Sequence, residues 1–212
     1  MSFAKDTSRW PKRCVVIIDG ILKRPDEARQ WALHQEYYQP DHVTGWRSAE
    51  SKVFPGAVSA LKRHFGRRIS LLSPRLYDDS AVTFLSFSKG RRQEVPGVHW
   101  DQPENTYIVL IYLTPNLPPD CGTSLWQHKR TGLVRAPVRA DERRLRARCE
   151  DVAAELETDS TNRARWVEID RLGYQYNRGL VYPAYALHSA TRHYGSSMKN
   201  GRIYQLLGFR VS

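Results

Sequence analysis

Val98-His99-Trp100-Asp101-Gln102-Pro103-Glu104-Asn105-Thr106-Tyr107-Ile108-Val109-Leu110-Ile111-Tyr112-Leu113-Thr114 is the stretch on which the fold turns. Its second half, Thr106–Thr114, is a strongly apolar run rich in β-branched and aromatic residues, which reads as a strand. Similar short runs recur at Ala81–Ser88, Gly122–His128, Trp166–Ile169, Gly179–Tyr182, Ala186–Ala190 and Arg202–Val211. Turn signals separate them, among them Pro115-Asn116-Leu117-Pro118-Pro119-Asp120 and Asn200-Gly201. Upstream the texture is different. Cys14–Ile18 is a buried strand, and Lys23-Arg24-Pro25-Asp26-Glu27 opens a helix, with proline in its first turn and acids at its positive end. Ala28, Trp31 and Ala32 supply that helix with an apolar face, and a second helix runs from about Pro55 to Phe65, ending at Gly66. Many short strands after a helical lead-in predict a mainly β fold, a sandwich or jelly roll with helices packed outside.

One segment breaks the strand pattern. Leu145, Cys149, Val152 and Leu156 recur at helical spacing between about Asp141 and Glu157, so residues 139–160 are expected to form a helical insert. Residues 1–12 are polar and expected to be loose. The 212 residues suit one well-filled domain covering 1–212. The longest apolar run is too short to cross a bilayer, and the N-terminus carries no signal pattern. Cys14, Cys121 and Cys149 are odd in number and far apart, which argues against a disulfide framework and suits a reducing cytoplasm. The net charge of +11 would attract nucleic acid or acidic partners. However, its arginines are scattered (Arg67-Arg68, Arg91-Arg92, Arg143-Arg144, Arg146, Arg148) and no common nucleic-acid motif is present.

The chemistry starts at His99-Trp100-Asp101. In an extended chain, residues two apart share a face, so His99 and Asp101 can serve one metal. Seven histidines and twelve aspartates in 212 residues give roughly 0.4 such pairs by chance, so the spacing needs support from its surroundings. His34-Gln35-Glu36 has the same spacing but falls in the first predicted helix, where residues two apart diverge. For His99 and Asp101 the support is a third ligand on a late strand, His188, after Tyr182-Pro183. Two histidines and one carboxylate make the facial set that suits Fe(II). Arg202 opens the last strand, and its fixed fork matches the distal carboxylate of a small dicarboxylate.

The order of these residues resembles the Fe(II)/2-oxoglutarate-dependent dioxygenases, within them the prolyl-hydroxylase-like branch. The resemblance rests on His99-Trp100-Asp101, then Ile111-Tyr112-Leu113-Thr114, Cys121-Gly122-Thr123-Ser124-Leu125, His188 and Arg202. The opening Val15-Val16-Ile17-Ile18-Asp19-Gly20-Ile21-Leu22 before a proline-started helix also looks like that branch. It implies a cupin-like double-stranded β-helix (jelly roll) core, with His99, Asp101 and His188 as iron ligands. It also implies that Arg202 pairs with the C5 carboxylate of 2-oxoglutarate and that Tyr112 donates a hydrogen bond to it, with Tyr204 as a further hydroxyl donor. The implied activity is hydroxylation with O2, 2-oxoglutarate being decarboxylated to succinate. The turn between His188 and Arg202 is longer than is usual in the branch, and the 139–160 insert has no obvious counterpart in it.

The expected substrate is a small molecule, an amino-acid derivative or a carrier-tethered intermediate. Trp126, the Arg-rich insert, Arg192 and His193 are candidate lining residues and point to an anionic or aromatic compound. Trp100 is read as packing, and His128, in a Lys/Arg-flanked loop, as surface. Two alternatives stand beside this reading. One is a nucleic-acid demethylase of the same superfamily, suggested by the charge and by Arg210 on the same strand face as Arg202. The other is a cupin-like protein that binds a ligand without redox chemistry.

Overall fold

A computed structural model describes residues 3–8, 15–39, 46–66, 68–72, 82–86, 95–101 and 106–211. Cys14, Arg67, Arg91-Arg92, the ends of the Ala81–Ser88 run and the loop at 102–105 lie outside the described residues. In chain order the first half holds β1 (Val16–Asp19), α1 (Pro25–Leu33), β2 (Tyr37–Tyr38), β3 (Trp46–Ser48), α2 (Ala57–Phe65), β4 (Ile69–Leu71) and β5 (Val82–Ser86). The second half holds β6 (Tyr107–Tyr112), β7 (Thr123–His128), α3 (Asp141–Leu145), α4 (Cys149–Thr158), β8 (Trp166–Leu172), β9 (Arg178–Pro183), β10 (His188–Ala190) and β11 (Arg202–Val211). A large sheet runs β1-β9-β6-β11-β5-β3-β2, with β4 also on β11, and a small one runs β10-β7-β8. The strand pairs are antiparallel, and the architecture is the mainly β jelly roll of the double-stranded β-helix class.

Strand β6 is apolar throughout because both of its faces are covered. Its odd-numbered residues Tyr107, Val109 and Ile111, with Leu113, pack on Ala28 and Ala32 of α1 and Leu61 of α2. Its even-numbered residues Ile108, Leu110 and Tyr112 pack on Leu125 and Leu172 of the small sheet and on Tyr182 and Leu206. Each such aliphatic side chain contributes about 1.5–3 kcal/mol by leaving water, so truncations on either face would be felt. The helices start and stop as their residues dictate. Pro25 sits in the first turn of α1 with Asp26 and Glu27 beside it, and Gly66 ends α2 in the left-handed conformation (φ +60°).

Five features differ from the sequence reading. The first strand, expected to be buried, is β1 at the edge of the large sheet, with Ile17 exposed. The insert is two helices, because Arg146 adopts φ +51° and breaks the run before Cys149. Its apolar stripe still works as one, with Val152 and Leu156 packed on Trp126, Trp166, Leu133 and Val98 on the outer face of the small sheet. The segment at residues 3–8, expected to be loose, is tied down. Arg139 and Ala140 donate backbone hydrogen bonds to the carbonyls of Ala4 and Lys5 (2.8 and 2.9 Å). His34-Gln35-Glu36 lies past the end of α1, in the turn before β2, so its dismissal on helical grounds does not hold; His34 is exposed and bonds back to the Gln30 carbonyl. Finally, β2, β3 and β4 were not foreseen, since strands of two or three residues leave no periodicity to read. Among the described residues no helix is long and apolar enough to cross a membrane.

Candidate metal and anion site

The loop before β6 and the start of β10 meet side by side. His99 donates its backbone N–H to the His188 carbonyl and accepts one in return, both at 2.9 Å, and Asp101 N–H donates to Ala184 O at 2.7 Å. This short ladder extends the small sheet and sets two histidines opposite each other, their ring centroids 4.4 Å apart. Asp101, two residues from His99 on the same face, brings its carboxylate between them. Oδ1 lies 3.9 Å from His99 Nε2, and Oδ2 lies 3.4 Å from His188 Nε2. One ligand atom from each of the three residues lies within 4.8 Å of the others.

The ring orientations are fixed by main chain. His99 Nδ1–H donates to Gly97 O and His188 Nδ1–H to Ala186 O, each at 2.9 Å. A neutral ring that donates through Nδ1 presents a lone pair at Nε2. His188 is held neutral, because burial, seconded by His99 close by, depresses its pKa well below the usual imidazole range. Two nitrogen lone pairs and a carboxylate therefore converge, a set that a cation satisfies better than hydrogen bonding does. The two rings differ in access. The His99 side chain is 56% exposed and that of His188 5%, so the cluster is open on one side only.

Arg202 lies deeper, where β11 faces the start of β7. It is buried, and Nε donates to Cys121 O at 2.6 Å while Nη2 donates to Gly122 O at 3.2 Å and reaches Thr123 Oγ1 at 3.4 Å. Tyr204 and Tyr112 present their rings to the guanidinium at 4.5 and 5.3 Å. Neither those carbonyls nor Thr123 engages Nη1, and no carboxylate among the described residues pairs with this cation. Burying an unpaired charge is expensive, and tyrosine faces and carbonyls offset only part of the cost. His188 pairs in register with Leu125, and Arg202 touches Thr123, two residues along the same face of β7. The metal cluster and the guanidinium are thus about one two-residue strand step apart along β7, roughly 7 Å.

Gly122 lets the start of β7 lie tight against the end of β8: a Cβ there would sit 1.9 Å from the Leu172 carbonyl. Thr123 was not singled out in the sequence. Its hydroxyl is 2.9 Å from the Tyr112 hydroxyl and within reach of Arg202, and only the facing of β7 and β11 from opposite sheets reveals it.

Other expectations are corrected. His128 is not surface but fully buried, its ring against Trp166 and its nitrogens 3.1 Å from Thr131 Oγ1 and 3.0 Å from Asp159 Oδ2. Trp126 does not line the interior between the sheets. It packs under α4 and donates to Ser189 Oγ. Arg139, Arg144 and Arg148 of the insert pair with its own acids, in Arg139–Glu142, Arg139–Glu150, Arg144–Asp141 and Arg148–Glu150. Arg192 pairs with Asp120 at 2.9 Å, and His193 is buried. Trp100 packs, as expected.

A family described as "Family of unknown function (DUF6445)" matches residues 4–203. A search of curated protein sequences finds no match. Among solved structures, one similar chain is the non-haem α-ketoglutarate-dependent epimerase SnoN from nogalamycin biosynthesis (13% identity, TM-score 0.54, covering 97% of this chain and 78% of that one). SnoN in complex with Fe3+, α-ketoglutarate and nogalamycin RO matches similarly (13% identity, TM-score 0.52, covering 97% and 80%). At that identity the likeness speaks for the fold.

Proposed function

The chain belongs to this DUF6445 family, and we propose that its site makes it an Fe(II)/2-oxoglutarate-dependent oxygenase of the prolyl-hydroxylase-like branch, its single domain spanning 1–212. One observation carries the reading: a buried guanidinium without an acidic partner among the described residues, one strand step from two lone-pair-presenting histidines and a carboxylate. A ligand bearing both a metal-chelating end and a distal carboxylate answers both halves at once, and 2-oxoglutarate is such a ligand. Either half alone would fit many proteins.

In this reading His99, Asp101 and His188 would hold Fe(II), and the exposed His99 side of the cluster is where co-substrate and O2 could reach it. Arg202 takes the C5 carboxylate through Nη1, with the Tyr112 and Thr123 hydroxyls beside it and Tyr204 closing the other face of the guanidinium. The metal and co-substrate supply the oxidising power, and the protein orients them and excludes water. The substrate is a small molecule, an amino-acid derivative or a carrier-tethered intermediate, and the outcome is hydroxylation, since Asp101 keeps the carboxylate position filled. The epimerase named among the similar structures shows that oxidation on this fold need not end in hydroxylation.

The demethylase alternative loses its main support. Arg210 is exposed, eight residues along β11 from Arg202, about 26 Å at the rise of a strand. The non-redox cupin alternative leaves unexplained why Arg202 is buried with no acid among the described residues paired to it. The test is anaerobic titration of the protein with Fe(II) and 2-oxoglutarate, following the weak visible charge-transfer band. The band should appear in the wild type and vanish in His188→Ala and Arg202→Ala. A folded wild-type protein that gives no band overturns the reading.

A further inference from the structure

The backbone around Arg202 is held by a residue that touches neither the metal cluster nor the guanidinium. The Thr114 hydroxyl donates to Gly201 O at 2.7 Å and accepts from Ile203 N–H at 3.0 Å, bracketing Arg202 from both sides. Thr114 is buried at the end of the apolar run of β6, and its own main chain is clamped in turn. Its N–H donates to the Tyr174 hydroxyl, and that hydroxyl donates to the Thr114 carbonyl, both at 2.8 Å. Burial pushes the Tyr174 phenol up to about 12, so it stays protonated as a donor. Its ring stacks on Tyr112 (4.4 Å, 25°), and Tyr112 in turn faces Arg202. A second brace comes from α1: Arg29 donates to Leu113 O and Lys199 O, flanking the same junction of β6 and β11.

We infer that Thr114, backed by Tyr174, is a positioning residue that sets the affinity of the Arg202 end for its carboxylate, independently of the metal. The inference rests on the proposed function. The guanidinium is fixed at its head by the Cys121 and Gly122 carbonyls and at its root by Thr114. A side chain with four rotatable bonds recognises a carboxylate well only when both ends are fixed, because otherwise binding must order it. The arrangement costs the chain a buried hydroxyl in an otherwise apolar junction. Valine has nearly the same shape and would fill the space, but it would leave the Gly201 carbonyl and the Ile203 N–H without the hydroxyl that answers both.

The experiment compares Thr114→Val, Thr114→Ser and Tyr174→Phe with the wild type in two anaerobic titrations: Fe(II) alone, then 2-oxoglutarate into the iron-loaded protein. Removing the hydroxyl leaves the Ile203 N–H and Gly201 carbonyl unanswered, so Thr114→Val should weaken 2-oxoglutarate by about tenfold with Fe(II) affinity unchanged. Serine should restore the affinity, and Tyr174→Phe should fall between. The inference is overturned if Thr114→Val matches the wild type for 2-oxoglutarate, if it weakens Fe(II) and 2-oxoglutarate alike, or if serine fails to rescue. A wild type that takes Fe(II) but not 2-oxoglutarate sinks the oxygenase reading and this inference together, whereas the other results bear on Thr114 alone.

Discussion

Two clusters in this molecule offer the same kind of atoms, imidazole and carboxylate, and they differ in what surrounds them. His99, Asp101 and His188 bring three ligand atoms within 4.8 Å of one another, and so do His128, Glu155 and Asp159. In the second cluster the atoms answer each other or nearby cations. His128 Nε2 is 3.0 Å from Asp159 Oδ2, Arg130 grips both oxygens of Glu155, and Arg165 lies 3.6 Å from Asp159. That set is a closed network pinning α4 to the end of β7. In the first cluster backbone carbonyls take the Nδ1 protons, turning both Nε2 lone pairs toward the carboxylate of Asp101. Ligand count does not distinguish a metal site from a structural pin; what the imidazole nitrogens face does.

The largest effect should come from the histidines. His188→Ala is expected to weaken Fe(II) binding by about a hundredfold or more, beyond the 10–100-fold typical of outer partners. His128→Ala should leave the Fe(II) titration unchanged. An iron affinity that falls with His128 would erase the distinction drawn here. Next, Arg202→Met should lower 2-oxoglutarate affinity by about 2–5 kcal/mol while leaving the melting temperature unchanged or higher, because among the described residues the buried cation has no charged partner to lose. A large drop in melting temperature would instead make Arg202 a structural residue. In the closed cluster the pattern reverses. His128→Ala should cost about 1–3 kcal/mol in urea denaturation by stranding Asp159 and opening a void against Trp166, with co-substrate binding preserved. The smallest effect belongs to Arg130, whose side chain is half exposed. Arg130→Gln should cost no more than about 1 kcal/mol, fading in high salt, and a larger loss would show that the pair is better shielded than its exposure implies.

These clusters also show what a sequence can disclose. His99 and Asp101 were legible because a period of two is a backbone property, and His188 and Arg202 because their order along late strands is a property of the chain. His128 was misread for the converse reason. Its neighbours Lys129 and Arg130 look like surface, and its burial comes from α4 folding back over β7 through Val152 and Leu156. The stripe of the insert could be read, but not the face it would cover. Trp126 was placed inside for want of that same fact. Thr123 and Thr114 act through contacts with β11, 79 and 89 residues away, which no local pattern encodes.

The short ladder joining His99 and Asp101 to Ala184 and His188 has a consequence for how the chain folds and wears. Its two sides are separated by roughly ninety residues, so it can zip only after most of the jelly roll has closed, and contacts of such long range form late and slowly. A cation bridging both sides binds the finished structure and not the open chain, and at a hundred times its Kd it would add about 2.7 kcal/mol to global stability. The metal would then serve as a latch on the last-formed seam. Growth in an iron-poor medium would show up as a shorter lifetime of the protein before any loss of its substrate.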